Sequence, residues 1–289
     1  MRYLYYPGCS QKSSAISYER SFLAVCDELG IELIELEDWN CCGTTIAISV
    51  NKMLSLFLGA RNLGLANQYE LPVVTPCPSC YISLRRILKE CKENKIYFQQ
   101  LNELLAKEHL AFSTDIEVFH SLEFLVRVVG LDTIWSKVRN PLRGYKIAPY
   151  YGCQLVCPYV NGSKSNDPQD LEKLIEVLGA QPVEFPFRTH CCGGSLMFTL
   201  KEQAEKLSCM ILRSIQRTDA DLIVTPCGLC QINLEIAQKR IWKETPGQRS
   251  LPIFNIGQLM GLALNLDPRR IYTDKKKILA KRGITSTTN

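Results

Sequence analysis

Two sets of five cysteines, repeated along the chain in the same order, constrain the fold more than any other feature of the sequence. Each set has a single cysteine, then a Cys-Cys-Gly triplet, then a Cys-x-x-Cys motif. The first set is Cys9, Cys41, Cys42, Cys77 and Cys80, and the second is Cys153, Cys191, Cys192, Cys227 and Cys230. The triplets and the Cys-x-x-Cys motifs recur at an offset of 150 residues, which indicates an internal duplication.

The residues around the cysteines repeat as well. Residues 73–80 match residues 223–230, with apolar residues, threonine, proline and cysteine in the same places. Upstream, residues 5–9 resemble residues 149–153 at an offset of 144, so the second copy has a loop-sized insertion of six residues before its triplet. The two copies predict one fold built twice.

Each copy alternates strand-like and helical segments, which is typical of parallel βαβ units. The predicted strands are residues 3–6, 32–36 and 72–75 in the first copy and 146–151, 182–185 and 222–225 in the second. The predicted helices between them cover residues 13–29, 53–67, 171–178 and 200–216, and a further helix begins within each Cys-x-x-Cys motif. The sequence therefore predicts an α/β fold of two βαβ-type domains, with short parallel sheets flanked by helices.

This topology would bring the cysteines of one copy together. The carboxyl ends of parallel strands share one edge of a sheet, and Cys9 and Cys77 each follow such an end. Helices that begin near Cys80 and Cys230 would direct their N–H groups at the sulfurs, which favours thiolates. Glycines at the triplets allow the backbone to approach a bulky inorganic group. They are Gly43, Gly193 and Gly194.

The chain divides into four predicted parts. They are the first repeat at 1–95, a helical connecting segment at 96–145, the second repeat at 146–266 and a basic C-terminal tail at 267–289. The tail has seven lysines and arginines against two aspartates, which equals the formal net charge of +5. One interpretation is a docking arm for an acidic partner or an anionic surface, and the favoured one is a solvated terminus.

Composition excludes several classes of protein. No segment has the ~20 consecutive apolar residues of a membrane span, since the run 253–266 is interrupted by Asn255, Gln258 and Asn265. The N-terminus has no secretory signal, so we expect a cytoplasmic protein without a transmembrane segment, peripheral to a membrane only through partners. Fourteen cysteines in a reducing compartment favour metal or redox chemistry over disulfide bonds.

Three kinds of site could use these cysteines. A structural zinc ion takes four ligands, which leaves one cysteine of each set without a role. A dithiol redox site at Cys77 and Cys80 would leave the other motifs idle. An iron-sulfur cluster is favoured because it can use all five, since vicinal cysteines such as Cys41 and Cys42 can bind neighbouring irons.

The twice-repeated pattern, which spans Cys9 to Cys230, resembles the cysteine-rich domain family typified by the B subunit of heterodisulfide reductase. The resemblance implies that each set of five cysteines binds one [4Fe-4S] cluster of the non-cubane type. It also implies that the two clusters face each other across a pseudo-two-fold axis, where a disulfide is reduced or thiols are oxidised. All ten positions of the family pattern are occupied in this chain.

The expected function is that of a catalytic oxidoreductase subunit that acts on a sulfur group. Two clusters could each supply one of the two electrons that a disulfide requires. The electrons must come from partners, because no Gly-x-Gly-x-x-Gly motif follows a strand to bind a flavin or nicotinamide cofactor. The resemblance implies a ferredoxin-like C subunit as donor and a flavoprotein subunit behind it. No nucleic acid is expected as a partner. The alternatives are a relay or quinone-side subunit of a succinate, fumarate or hydroxy-acid oxidoreductase, and a structural zinc protein.

The four remaining cysteines are assigned to packing. Cys26, Cys91 and Cys209 lie in helical runs and are predicted to be core residues. Cys157 follows Cys153 by four residues but has a serine as its counterpart in the first copy, so a packed or free thiol is favoured over a sixth ligand.

A few polar residues invite a functional interpretation. His190, next to Cys191, is predicted to be a polar neighbour of the site rather than an acid catalyst. Lys12 and Arg188 could bind an anionic substrate, although solvated positions are favoured. His109 and His120, in the connecting segment, are predicted to be ordinary surface or hydrogen-bonded residues.

Overall fold

Two parallel sheets of four strands form the centres of the two halves of the chain. The computed structural model describes residues 1–44, 47–156, 168–244 and 250–271. The first sheet contains β1 (Arg2–Tyr5), β2 (Glu32–Glu35), β3 (Val73–Thr75) and β4 (Val118–His120), in the order β2-β1-β3-β4. The second contains β5 (Lys146–Pro149), β6 (Gln181–Pro182), β7 (Leu222–Thr225) and β8 (Ile253–Asn255), in the order β6-β5-β7-β8. The predicted α/β class with two parallel sheets is confirmed.

Helices flank both sheets. The first half has α1 (Ile16–Glu28), α2 (Ala47–Val50), α3 (Lys52–Asn67), α4 (Pro78–Glu93), α5 (Lys95–Leu105), α6 (Ser121–Glu123) and α7 (Leu131–Lys137). A π-helical turn, Phe124–Gly130, lies between α6 and α7, and 3₁₀ turns cover Ala106–Glu108 and Gly194–Leu196. The second half has α8 (Asp170–Val177), α9 (Lys201–Gln216), α10 (Gly228–Glu244) and α11 (Ile256–Ala263). Helices thus separate consecutive parallel strands, as βαβ connections require.

The central strands are apolar because both faces of each sheet are covered. All residues of β3 and β7 are buried, and each strand ends at a threonine and proline. The proline cannot donate a ladder hydrogen bond, so pairing stops there and the chain enters the Cys-x-x-Cys segment. The prediction that a helix begins within this motif is confirmed, since α4 starts at Pro78 and α10 at Gly228.

Two secondary-structure predictions need correction. The connecting segment is not wholly helical, because residues 118–120 form β4 and pair with β3. Strand β6 is only Gln181–Pro182, not 182–185, and its pairing with β5 stops after the N–H of Val183 donates to the carbonyl of Ile147 at 2.8 Å. Cys157 and residues 272–289 of the basic tail lie outside the described residues, so the predictions for them stand as predictions.

One buried apolar cluster contains residues of both halves, and each half also has a cluster of its own. Helix α1 of the first half packs against α11 of the second, and α8 of the second packs against α7 and the π-helical turn of the first. This reciprocal exchange is the contact pattern of a two-fold arrangement. A Cβ atom on Gly257 would lie 2.7 Å from the backbone nitrogen of Phe22, so the close approach of α11 to α1 requires glycine. The two strand-end edges are thereby held close together.

Candidate functional site

The first set of cysteines meets at the carboxyl ends of β1, β2 and β3. The Sγ atoms of Cys9 and Cys41 are 3.8 Å apart. The side chain of Cys42 hydrogen-bonds to those of Cys41 and Cys80, and Cys80 also to Cys77. The five thiols therefore form one continuous row of contacts.

The second set meets at the equivalent ends of β5, β6 and β7, where its thiols form two hydrogen-bonded groups. The Sγ atoms of Cys192 and Cys230 are 3.6 Å apart, and the Cys153 side chain hydrogen-bonds to that of Cys191. Cys230 also hydrogen-bonds to Cys227 through its side chain, and its backbone N–H donates to Sγ of Cys227 at 3.3 Å. Each predicted set of five thus converges, one set in each half.

Each row has a buried end and an open end. Cys9, Cys41 and Cys153 are exposed, while Cys42, Cys80, Cys192 and Cys230 are buried. No group of three or more histidine, cysteine, aspartate or glutamate side chains in the described part of the chain is arranged to hold a metal ion. The reason is that the sulfurs of each set contact one another in pairs and do not surround a single point.

A glycine before the first cysteine allows the backbone to pass beside the buried sulfur. Gly8 and Gly152 have φ angles of 73° and 71°, a left-handed conformation that glycine adopts freely. A Cβ atom would lie 2.6 Å from Sγ of Cys80 at Gly8, and 3.0 Å from Sγ of Cys230 at Gly152. Both sites therefore exclude a side chain at this position.

Equivalent hydrogen bonds fix the triplets in both halves. The hydroxyl of Tyr6 donates to the carbonyl of Asn40 at 2.8 Å, and that of Tyr150 donates to the carbonyl of His190 at 2.7 Å. The carbonyls inside the triplets accept from helices that follow. Ser83 donates to Cys42 at 3.2 Å, and Asn233 donates to Cys192 at 2.7 Å. Since positions 83 and 233 differ by the repeat offset, the support of the triplets was duplicated with the triplets.

The local electrostatics favour some ionised sulfur in each site. A hydrogen bond from the Cys42 side chain, with another from Cys9, lowers the pKa of Cys41 to about 2. Hydrogen bonds from the Cys80 side chain and backbone N–H lower the pKa of Cys77 to about 6, against the effect of burial. In the second half a hydrogen bond from Cys153 lowers the pKa of Cys191 to about 6.

The exposed thiols of Cys9 and Cys153 are instead held protonated by their neighbours. Hydrogen bonding to Cys41, burial and the nearby thiolates raise the pKa of Cys9, and the same kinds of effect raise that of Cys153. Five thiolates this close repel one another, so all five can be ionised only when a cation neutralises them. The donor set thus suits a bound cationic group that contacts several sulfurs.

A buried hydrogen-bonded bridge, formed by Tyr18, His120 and Ser121, links the loops of the two sites. Tyr18 donates to the carbonyl of Pro226 at 3.1 Å and lies 2.9 Å from Oγ of Ser121. His120 accepts from the N–H of Leu122 through Nδ1, so its Nε2 carries the proton that the Pro76 carbonyl accepts at 3.2 Å. Pro76 and Pro226 directly precede Cys77 and Cys227.

The bridge places the two sites side by side. The thiols of Cys227 and Cys77, one from each set, both contribute to the raised pKa of Tyr18, after burial as the main cause. Ser79 also donates to Oε1 of Gln154 in the other half at 2.7 Å. Sequence reasoning missed Tyr18 and treated His120 as ordinary, because nothing local in the sequence shows a contact between repeats.

The two basic residues near the sites are paired within the protein. Lys12 lies 2.7 Å from Glu19 and 2.8 Å from Glu35. Arg188 pairs with Glu172, whose carboxylate also accepts from Tyr151. The prediction that both are solvated single charges is wrong, because each neutralises a buried carboxylate.

The other candidate residues take structural positions. Cys26 and Cys91 are buried, as predicted, but Cys209 is only half-buried. His190 is exposed and its ring stacks edge-on against Phe187, with centroids 4.9 Å apart. His120 is buried and hydrogen-bonded, while His109 is exposed.

Comparison with known proteins adds a family match. The family model described as "Cysteine-rich domain" (CCG) matches residues 3–85 and 147–235, and these ranges contain all ten cysteines of the two sets. A solved structure of a hypothetical protein from Helicobacter pylori has a TM-score of 0.75, covering 94% of this chain at 13% identity. The chain spans 50% of that protein, and the likeness shows the fold alone.

Curated relatives span almost the whole chain. The 8-methylmenaquinol:fumarate reductase membrane anchor subunit of Wolinella succinogenes is 34% identical over 93% of this chain and 94% of its own length. The heterodisulfide reductase B-subunit-like protein of Archaeoglobus profundus is 31% identical over 94% and 93%. The B subunit of the ferredoxin/F(420)H(2)-dependent CoB-CoM heterodisulfide reductase of Methanosarcina acetivorans is 26% identical over 94% and 92%. In the described part of this chain, no helix has the length and apolar character needed to cross a membrane.

Proposed function

The chain belongs to the cysteine-rich (CCG) domain family that includes the B subunit of heterodisulfide reductase, and from this premise we propose that it is a two-site iron-sulfur subunit of an oxidoreductase complex. Each set of five cysteines would hold one [4Fe-4S] cluster of the non-cubane type. The observation that supports the proposal is the convergence of five thiols from three separate loops in each half.

The thiols fit such a cluster in number, arrangement and charge. A row of five sulfurs offers vicinal donors, Cys41–Cys42 and Cys191–Cys192, which suit neighbouring irons better than one tetrahedral ion. Thiols that repel one another as thiolates gain most from a cationic core. Glycine at positions 8 and 152 keeps the backbone close to the buried sulfurs without a Cβ in the way.

Reduction of a disulfide, or the reverse oxidation of thiols, is the reaction that two adjacent sites suit best. When bound, each cluster passes one electron at a time, so two sites supply the pair of electrons. One disulfide takes up two electrons and two protons and yields two thiols. Exposed Cys9 and Cys153 leave an open edge at each site for a substrate, and Tyr18 and His120 hold the intervening loops.

A direct assay tests this reaction. Protein purified without oxygen is mixed with a reduced viologen dye and a panel of disulfides, and dye oxidation and thiol formation are both recorded. We expect two one-electron dye molecules to be oxidised for each disulfide cleaved, and no turnover in Cys80→Ser or Cys230→Ser. Absence of turnover with every disulfide, at full cluster content, would contradict the disulfide reaction and leave the cluster assignment standing.

A second candidate is an electron relay on the quinone side of a larger complex. It is supported by the 34% identity to the fumarate reductase membrane anchor subunit. Exposed apolar side chains also follow both triplets, Val50 (76% exposed) and Phe198 (90% exposed), and they suit an apolar neighbour. Oxidation of a soluble menaquinol analogue by the intact complex, without any disulfide turnover, would favour this candidate over the first.

Either reaction requires partner subunits. We propose a ferredoxin-like subunit as the immediate electron partner and a flavoprotein subunit behind it, because relatives over most of this length are named as subunits of larger reductases. Purification of the chain from its own cells and identification of the subunits required for turnover test this part of the proposal.

A further inference from the structure

A groove of about 540 Å³ runs along the outer side of α9 in the second half. Lys206, Arg213 and Arg217 line it, with the half-buried Cys209 and Phe187 beside them. The spacing of the three basic residues places them on one face of the helix. The groove lies outside the row of cluster-binding cysteines, and neither proposed reaction assigns it a role.

In the first half, the same face of the equivalent helix is covered. The two helices have the same length and align end to end at an offset of 149, so Leu56, Ala60 and Gly64 of α3 correspond to Glu205, Cys209 and Arg213. All three residues of the first half are buried, and their three counterparts are not. Helix α5 lies along this face. Its Tyr97 ring is 5.1 Å from Nζ of Lys52 at one end of α3, and a Cβ atom on Gly64 would lie 3.7 Å from Cδ1 of Leu105 towards the other.

In the second half, the equivalent face of α9 is open to solvent. Glu202 and Arg213, the counterparts of Met53 and Gly64, both line the groove, so the groove extends over the stretch that α5 covers in the first half. Among the described residues of the second half, no helix takes the place of α5. The groove thus has the length and the position of a helix-binding site.

The charges of the groove indicate what binds there. Lys206, Arg213 and Arg217 are exposed, and none of them forms a salt bridge with a described residue. Of the two carboxylates in the lining, Glu205 pairs with Arg240 and Glu202 lies at the end of the groove that begins α9. The net positive charge attracts an acidic ligand and discriminates against a basic one.

We propose that this groove binds an acidic helix of a partner subunit, in the position that α5 occupies in the first half. The proposal rests on the proposed function, because the partner is the subunit that exchanges electrons with the chain. Phe187 in the lining packs against His190, which directly precedes Cys191. A partner bound here would therefore lie next to the second cysteine set, and the groove would be the route between this site and the rest of the complex.

Charge reversal tests the proposal in the native complex. The double variant Arg213→Glu/Arg217→Glu is expressed with a tag in its own cells, and the complex is purified without oxygen. We expect the affinity of the electron-partner subunit to fall at least about tenfold, because each new carboxylate repels the acidic helix. The matched control is Lys107→Glu/Arg143→Glu, which reverses two exposed basic residues outside the groove and should assemble normally.

Other readouts separate this proposal from the proposed function. Iron content and viologen-driven turnover of the groove variant should equal those of the wild type, while turnover driven through the partner should fall with assembly. A carbodiimide reagent should join Lys206 to an aspartate or glutamate of the partner in the wild-type complex. Full assembly of the variant, or a Lys206 cross-link confined to this chain, would overturn the docking site even if both clusters are present. Loss of binding to anionic vesicles, with assembly unchanged, would overturn it in favour of a lipid surface.

Discussion

The two halves of this molecule match closely at the cysteines and differ at their outer faces. Both halves place five thiols at the ends of three parallel strands, with a tyrosine bonded to the residue before the triplet and a glycine beside the buried sulfur. In contrast, α5 covers α3 in the first half, and the equivalent face of α9 carries a basic groove. The arrangement of the thiols was therefore retained in both copies, while the outer helix face is covered in one copy and open in the other.

The residues that end the fourth strands show the same division. His120 pairs in register with Thr75, and Asn255 pairs with Thr225. His120 contributes to the bridge between the two sites, whereas Asn255 caps α11 and accepts from Ser21 of the first half at 2.8 Å. Equivalent positions thus hold the halves together by different polar contacts, and the pseudo-symmetry is broken at the bridge.

Removal of one ligand from either half gives the largest expected effect. Cys80→Ser and Cys230→Ser should each reduce the cofactor from about eight irons per chain to about four, and the double variant should bind almost none. The control, Cys91→Ala, changes a buried thiol outside both sets and should keep full iron content. Iron and acid-labile sulfide are measured after anaerobic purification. A single substitution that empties both sites would show that the halves are not independent.

Alanine at Gly8, Gly152 or Gly30 should lower stability by different amounts. Gly8, Gly152 and Gly30 have φ angles of 73°, 71° and 72°, so alanine adds backbone strain of about 1–3 kcal/mol at each. The Cβ atom would also meet a sulfur at Gly8 (2.6 Å) and at Gly152 (3.0 Å), but no atom within 4 Å at Gly30.

The free energy of unfolding in guanidinium and the iron content should therefore decrease most in Gly8→Ala, less in Gly152→Ala and least in Gly30→Ala. A loss in Gly30→Ala as large as in Gly8→Ala would mean that strain alone, and not the approach to sulfur, decides the outcome.

The bridge residue His120 should make stability depend on pH in a way that Asn255 cannot. Burial lowers the pKa of His120 from 6.5 to about 3, so the folded protein does not take up the proton that the unfolded chain binds below pH 6.5. Stability is therefore complete above this pH and is lost as the pH falls towards 3. Between pH 7.5 and 5.5 the wild type should lose about 1.4 kcal/mol more than His120→Asn.

Urea unfolding of the loaded protein at several pH values measures this difference. His109→Asn, at an exposed histidine, is the control and should follow the wild type. Parallel pH curves for the wild type and His120→Asn would contradict the buried, neutral state of the bridge.

The smallest expected difference is between the stability losses of Arg188→Ala and Lys12→Ala. Glu172 and Glu19, the partners of Arg188 and Lys12, are both 9% exposed, whereas Arg188 is 15% exposed and Lys12 38%. Arg188→Ala should therefore cost about 2 kcal/mol by leaving a buried carboxylate with one partner fewer. Lys12→Ala should cost less, because water already screens the more exposed ammonium of that pair. Equal losses in urea unfolding would indicate that the two pairs are solvated to the same degree.

The fold and the convergence of the cysteines could be predicted because both follow from local patterns. Strand and helix alternation sets a parallel sheet, and a parallel sheet gathers Cys9, Cys41 and Cys77 at one edge. Strands β4 and β8 were missed because three residues are too few to show an alternation, and the helical segments around them dominate the pattern.

Features that depend on contacts between distant segments could not be predicted in the same way. The bridge joins Tyr18, His120 and Pro226, and no short-range pattern relates them. The groove left a partial signal, because Leu56 and Gly64 are replaced by Glu205 and Arg213 once the two helices are aligned end to end, one residue away from the offset of the cysteines. Buried apolar or small residues replaced by charged residues mean that a face covered in one copy is open in the other.

Metal and sulfide analysis of protein purified without oxygen distinguishes two iron-sulfur clusters from two zinc sites. Two four-iron clusters predict about eight irons and about eight acid-labile sulfides per chain, no zinc, and visible absorption that reduction bleaches. About two zinc ions without sulfide would contradict the proposed clusters and identify two structural metal sites. Four irons with one zinc would leave a single redox site, and would contradict the proposal that each set of five cysteines binds one cluster.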